Sequence, residues 1–154
     1  MKKRVDLPEK KYEGYIFDLD GTLVDSMPLH YRAWREALAR AGAPDHVFRA
    51  DEFYSCGGKS ANDVVRFLNE RYGMHMDAAS TAADKRRIYL EMLEKEGMQP
   101  IREVVEFVHS LGDAPKAIAT GSAMPGASRT LAAAGLSGLF DVILTPDEVE
   151  HGKP

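Results

Sequence analysis

Two aspartates one residue apart, Asp18 and Asp20, close the apolar stretch "GYIFDLDGTLVDS" (Gly14 to Ser26), and a glycine follows at once. Side chains alternate along a strand, so both carboxylates leave on the same side, where they repel unless a cation or a shared proton relieves them. A hard divalent ion such as Mg²⁺ is the natural relief, because it takes oxygen ligands and keeps room for water and phosphate. One carboxylate can then attack phosphorus and form an aspartyl-phosphate, while the other protonates the leaving oxygen and later activates water. Gly21 permits a tight turn and close backbone approach to a phosphate. Thr120, Gly121 and Ser122 form a second polar strand end, where Thr120 and the Gly121 amide can donate to phosphoryl oxygens. Lys153, in "HGKP", is the cation that would neutralise charge in the transition state.

Simpler explanations of the first motif do less. Asp-Gly is an ordinary turn dipeptide, but a turn does not account for the aspartate pair behind an apolar strand. A calcium loop beginning at Asp18 needs glycine at position 23 and glutamate at position 29, and both positions are leucine.

These residues need elements to hold them. Tyr15 to Leu19 reads as a buried strand ending in a turn, with a helix after it on Leu29, Trp34, Ala37, Leu38 and Ala41. "SCGGKSANDVVRFL" reads as a loop opening a second helix with Ser60 as its cap, and a third helix runs over 77–96, with Glu91 and Lys95 spaced for an ion pair. Then come a helix over 101–111, a strand "KAIAT", a helix over 127–134 and a strand "DVIL". Such alternation marks a parallel sheet, whose ligands bind at the carboxyl ends of the strands. The expected architecture is α/β: a doubly wound, Rossmann-like core over 14–27 and 98–154, an inserted helical cap over 28–97, and a solvated extension over 1–13.

Composition narrows the function class. The 154 residues carry 44% hydrophobic side chains, enough for one real core, and Lys+Arg 20 against Asp+Glu 24 gives a net charge of -4. That balance lacks the basic field of a nucleic-acid binder. A single cysteine, Cys56, has no disulfide partner and fits a packed or turn position in a reducing compartment. The start "MKKRVDLPEKKYEG" lacks the apolar centre of a secretion signal, and no run approaches membrane-spanning length, so the expectation is a cytoplasmic protein without nucleic-acid or membrane partners.

"FDLDGT", "ATGS" and "HGKP", in this order around a helical insertion, resemble the haloacid dehalogenase superfamily of Mg²⁺-dependent phosphotransferases, and "DSMPLHYRAWREAL" resembles its β-phosphoglucomutase-like branch. The resemblance implies that Asp18 is the nucleophile and a Mg²⁺ ligand, and that Asp20 is the general acid/base, touching the metal through its backbone carbonyl. Thr120 and Lys153 match the positions that hold the phosphoryl group, with Gly21, Thr22, Gly121 and Ser122 beside it. His30 and the loop around Gly57 to Ser60, Lys59 included, match cap positions that meet the substrate; a surface or capping role for His30 stays open. His46, His75 and His109 read as structural, and Trp34 as packing.

Departures from the family pattern choose among its activities. Family mutases carry a cap arginine where Ser60 stands, and a Lys-Asn pair where Ala123 and Met124 stand, to grip a second phosphate. Losing those charged donors favours a phosphatase of a small sugar phosphate, with a β-phosphoglucomutase-like mutase as the alternative. The family's fourth motif, which supplies further Mg²⁺ ligands, lies beyond Pro154. The expectation is therefore a piece of a longer enzyme, impaired alone, or an inactive association module. With the first strand at the centre of the family's sheet, Ile16 and Phe17 would lie on an unpaired apolar edge through which copies associate.

Overall fold

The computed structural model describes residues 6–153. It contains β1 (Tyr15–Phe17), α1 (Met27–Arg40), α2 (Ala50–Ser55), α3 (Ala61–Tyr72), α4 (Ala78–Glu96), α5 (Arg102–Ser110), β2 (Lys116–Ala119), α6 (Met124–Ala133) and β3 (Val142–Leu144), with a 3-10 turn at Pro146–Glu148. The expected order of elements is found, and α2 is an addition. It spans only 6 residues and buries Phe53 alone, too short for a helical period to show in the sequence.

Local chemistry explains most boundaries. Ser60 accepts from the Asp63 amide and opens α3, Gly73 closes it with φ 62°, and Asp77 accepts from the Ser80 amide at the start of α4. Pro28 and Pro125 sit in the first turns of α1 and α6, where no intrahelical N–H is lost. On α4 Glu91 pairs with Arg87, four residues before it, instead of Lys95.

The three strands are parallel in the order β1-β2-β3, with Phe17 level with Ile118 and Ile118 level with Ile143. Phe17, at 9% exposure, packs against Phe107 and Phe140, whereas Ile16 is 78% exposed. Among the described residues β1 pairs only with β2, so it is the expected edge strand; its side chains are split between faces, with Phe17 turned into the core and Ile16 out, on the face that also carries exposed Val142 and Leu144.

Two apolar cores meet at α1. Leu29, Ala33 and Ala37 join Leu19, Leu23, Ile118, Leu131 and the α4 residues Ile88, Tyr89 and Leu93. Trp34 and Leu38 join Val47, Phe48, Phe53, Val64, Val65 and Leu68. Phe48 has φ 60°, a costly region for a bulky residue, and its ring is fixed edge-on between Trp34 and Phe53. No described helix is long and apolar enough to cross a membrane. Burial makes a direct test of the sheet: in urea unfolding, Ile118→Ala costs about 2–5 kcal/mol, and Ile16→Ala costs less than about 0.5 kcal/mol. Equal losses would mean that the outer face is covered in solution.

Candidate active site

The carboxyl ends of β1 and β2 open into a cavity of about 430 Å³, closed on the far side by α1, the turn after α2, the start of α3, and α4. Asp18, Asp20, His30, Lys59, Gly121, Ser122 and Lys153, all anticipated from the sequence, line it. Thr120 lies behind the wall, 5% exposed, its hydroxyl oxygen accepting from the Ser122 amide at 3.0 Å. Gly21 and Thr22 do not reach the cavity. Their amides donate to Val24 and Leu19 carbonyls at 2.9 and 3.3 Å, so the Gly21 turn shapes the aspartate loop and does not offer a free amide to phosphate.

The two aspartates are held by different partners. β1 ends at Phe17, so both carboxylates stand on a loop and strand alternation does not set their direction. Oδ1 of Asp18 receives the Leu19 amide at 2.9 Å and Lys153 Nζ at 2.8 Å, so Oδ2 is the oxygen available to a ligand. Lys153 also donates to the Ala119 carbonyl at 3.0 Å, which seats its ammonium at the end of β2. The third motif thus lands on the first across 135 residues of sequence separation.

Asp20 is enclosed. Its Oδ1 accepts from Ser26 Oγ at 2.6 Å and from His30 Nε2 at 2.8 Å, and its Oδ2 accepts from Ser122 Oγ at 2.7 Å. Burial pushes this carboxyl up, but attraction to His30 and the hydrogen bonds from His30, Ser26 and Ser122 prevail and hold it well below the usual carboxylate range. Ser26 accordingly makes no side-chain cap for α1, since its hydroxyl goes to Asp20. Ser122 does the same, so its hydroxyl serves Asp20.

His30 is neither a surface residue nor a helix cap. It is 7% exposed, stacked on Tyr89 with ring centroids 4.0 Å apart, and its Nδ1 lies 2.7 Å from Lys85 Nζ. The Lys85 ammonium can only donate, so Nδ1 accepts and Nε2 carries the proton given to Asp20. Burial lowers the His30 pKa and Lys85 lowers it further, against the pull of Asp20. Lys85 itself is lowered to about 8, chiefly by burial and slightly by Arg86, with Asp20 opposing. The chain Asp20–His30–Lys85 therefore couples the strand loop to α1 and α4.

Lys85, Arg86, Ser26, Asn62 and Asp147 were missed from sequence. Only Lys85 left a trace there: it falls four residues from both Thr81 and Tyr89, on the buried stripe of α4, where a lysine is out of place. Trp34 packs as expected and also lines the cavity.

The oxygen donors fit a sparse Mg²⁺ site. Asp18 Oδ2 and the Asp20 backbone carbonyl are the oxygens that would hold such an ion, while the Asp20 carboxylate is spent on its own donors. Among the described residues no three His, Cys, Asp or Glu side chains group around one point. Such a set suits an ion that keeps waters and takes a phosphate oxygen, and not a closed cage.

The two sides of the cavity touch through glycines. A Cβ on Gly121 would stand 2.7 Å from the Gly58 carbonyl oxygen and 3.1 Å from that of Lys59. The loop 57–60 thus rests directly on the backbone after β2.

A model of the haloacid dehalogenase-like hydrolases matches residues 15–154. Fructose-1-phosphate phosphatase YqaB of Escherichia coli is 32% identical over 146 residues, covering 94% of this chain and 75% of that protein. Hexitol phosphatase A of the same organism is 33% identical, covering 92% of this chain and 63% of its own length. A solved hydrolase from Pseudomonas syringae superposes with a TM-score of 0.79 at 29% identity, covering 92% of this chain and 64% of that one.

Gly121→Ala is expected to push the loop 57–60 off the core, read as faster hydrogen–deuterium exchange of those amides; unchanged protection would refute the contact. Lys85 makes a pH prediction. Its folded pKa of about 8 lies below the ordinary 10.5, so between those values the native state has released a proton that the unfolded chain still binds. Stability therefore rises with pH across that window and is unaffected by Lys85 below it, where both states are charged. Relative to Lys85→Met, the wild type gains at most about 3 kcal/mol between the two values. A flat difference would show Lys85 to be solvated.

Proposed function

The chain belongs to the haloacid dehalogenase-like hydrolases, and we propose that it serves as a Mg²⁺-dependent phosphatase of small sugar phosphates, with Asp18 as the nucleophile. The observation that carries this reading is the Lys153 ammonium on Oδ1 of Asp18 at the mouth of a cavity walled by both halves of the molecule. An ammonium at this point orients the carboxylate and offers positive charge where a transferring phosphoryl group gathers negative charge. The phosphatases of fructose 1-phosphate and hexitol phosphates among its relatives support a small sugar phosphate as the substrate class.

In the proposed reaction Oδ2 of Asp18 attacks phosphorus, the bond to the sugar oxygen breaks, and an aspartyl-phosphate remains on Asp18. Bound Mg²⁺ would screen the charge between Asp18 and the phosphate, with Asp18 and the Asp20 carbonyl as its protein ligands. Lys153 and the Gly121 amide, beside the Asp18 carboxylate and on the cavity wall, hold phosphoryl oxygens. Asp20, ionised here, is set to take a proton from the water that cleaves the aspartyl-phosphate. Before it can protonate a leaving sugar oxygen it must itself gain a proton: His30 Nε2–H is 2.8 Å away, and the ring can pass that proton on only as the Lys85 ammonium, 2.7 Å from Nδ1, gives one to Nδ1.

Ser60, where family mutases place an arginine, donates its hydroxyl to Asp63, which favours hydrolysis over a reaction that must grip a second phosphate. The test is phosphate release from fructose 1-phosphate and sorbitol 6-phosphate. Turnover should stop on chelation, return with added Mg²⁺, and fall by ~1,000-fold or more in Asp18→Asn. Activity that survives Asp18→Asn removes Asp18 as nucleophile.

A further inference from the structure

Asn62 stands at the second position of α3 and lines the cavity. Its Oδ1 is sealed from solvent and accepts no hydrogen bond. A buried acceptor left unpaired costs the free protein stability, so it calls for an explanation. The side chains beside it on α3 bond to each other: Ser60 Oγ gives its proton to Asp63 Oδ2, and Arg66 donates to Asp63 Oδ1.

The other side chains on this wall sharpen the point. Trp34, Phe48, Phe53, Val64 and Ala82 offer no acceptor, and Lys59, Lys85 and Arg86 can only donate. Both ring nitrogens of His30 are engaged, and the Tyr89 hydroxyl is paired with Thr130 at 2.7 Å. Of the described side chains that close the cavity opposite the aspartates, Asn62 is thus the one with an unpaired oxygen acceptor. The broad terminal torsion of an asparagine lets its amide turn toward a ligand.

We propose that Asn62 determines specificity by accepting a hydrogen bond from a hydroxyl of the substrate, and so selects polyhydroxylated phosphate esters. The inference rests on the phosphatase reading above and names the substrate class of the same cavity. A sugar or polyol brings hydroxyl donors that complete Oδ1. Pyrophosphate, or a phosphate ester ending in a carboxylate, brings only acceptors to that point and leaves two oxygens facing each other. Sites built to pair a substrate hydroxyl reject the analogue that lacks it, because their own polar group is then stranded.

The experiment compares kcat/KM for sorbitol 6-phosphate and n-hexyl phosphate, which share a six-carbon chain and differ in hydroxyls, in wild type and Asn62→Leu. The wild type should prefer sorbitol 6-phosphate, and the ratio should shrink by ~10-fold or more in the variant. A ratio that does not change overturns the role of Asn62 and leaves the phosphatase reading standing. No hydrolysis of either ester by the wild type overturns the phosphatase reading, and this inference with it. Thermal unfolding of the same variant supplies a readout independent of turnover. Removing a stranded acceptor should raise Tm by about 2–4 °C, whereas a fall would show that the amide has a partner within the protein and would end the proposal.

Discussion

The Asp20 carboxylate is the point on which the two halves of the molecule depend. A charge removed from water needs donors close by, and here they come from separate places: Ser26 just before α1, His30 in its first turn, and Ser122 after β2. Lys85 on α4 then completes the far side of His30. Satisfying one carboxylate therefore fixes where α1 begins, how α4 lies against it, and how close the second strand end stands to the first. The apolar contacts of Leu29 and Ala33 with Ile88, Tyr89 and Leu93 add the packing energy, but they do not by themselves select this register.

The same constraint separates the two aspartates. Both follow an apolar strand, yet one meets a mobile class of partner, a lysine ammonium with a free oxygen beside it, and the other meets three fixed donors. An anion that must change its bonding during a reaction is better served by the first environment. One that must keep its protonation state well defined is better served by the second. Spacing in the sequence could show that two carboxylates share a loop. Their different side-chain partners come from residues 6 to 135 positions away.

What was legible follows the range of the interaction. Helix and strand positions rest on local periodicity and caps, and these are recovered from Ser60, Asp77, Gly73 and the apolar stripes. The motif residues Asp18, Asp20, Gly121 and Ser122 were legible because each follows a strand end, the place where a parallel sheet presents its chemistry, and Lys153, nine residues past β3, was legible from the "HGKP" motif that returns to the end of β2. Gly21 and Thr22 were misplaced because a turn consumes its own amides, which composition does not reveal. Asn62 and Lys85 were missed because a polar residue on a helix looks solvated until the fold supplies a wall around it. The short α2 escaped for want of a full period.

Glycine contact explains why the wall can close so tightly over the aspartates. Gly58 has φ 87°, a conformation costly for other residues, and its carbonyl meets Gly121 where no side chain would fit. A larger residue at Gly121 would hold the loop 57–60 away from β2 and with it the start of α3, which that loop delivers. The cavity would then open to water, and charges such as Asp18 and Lys153 would attract each other less strongly. The backbone approach at Gly58 and Gly121 and the donors around Asp20 thus act toward one end. The first brings the wall down onto the strand ends, and the second determines which polar groups it carries when it arrives.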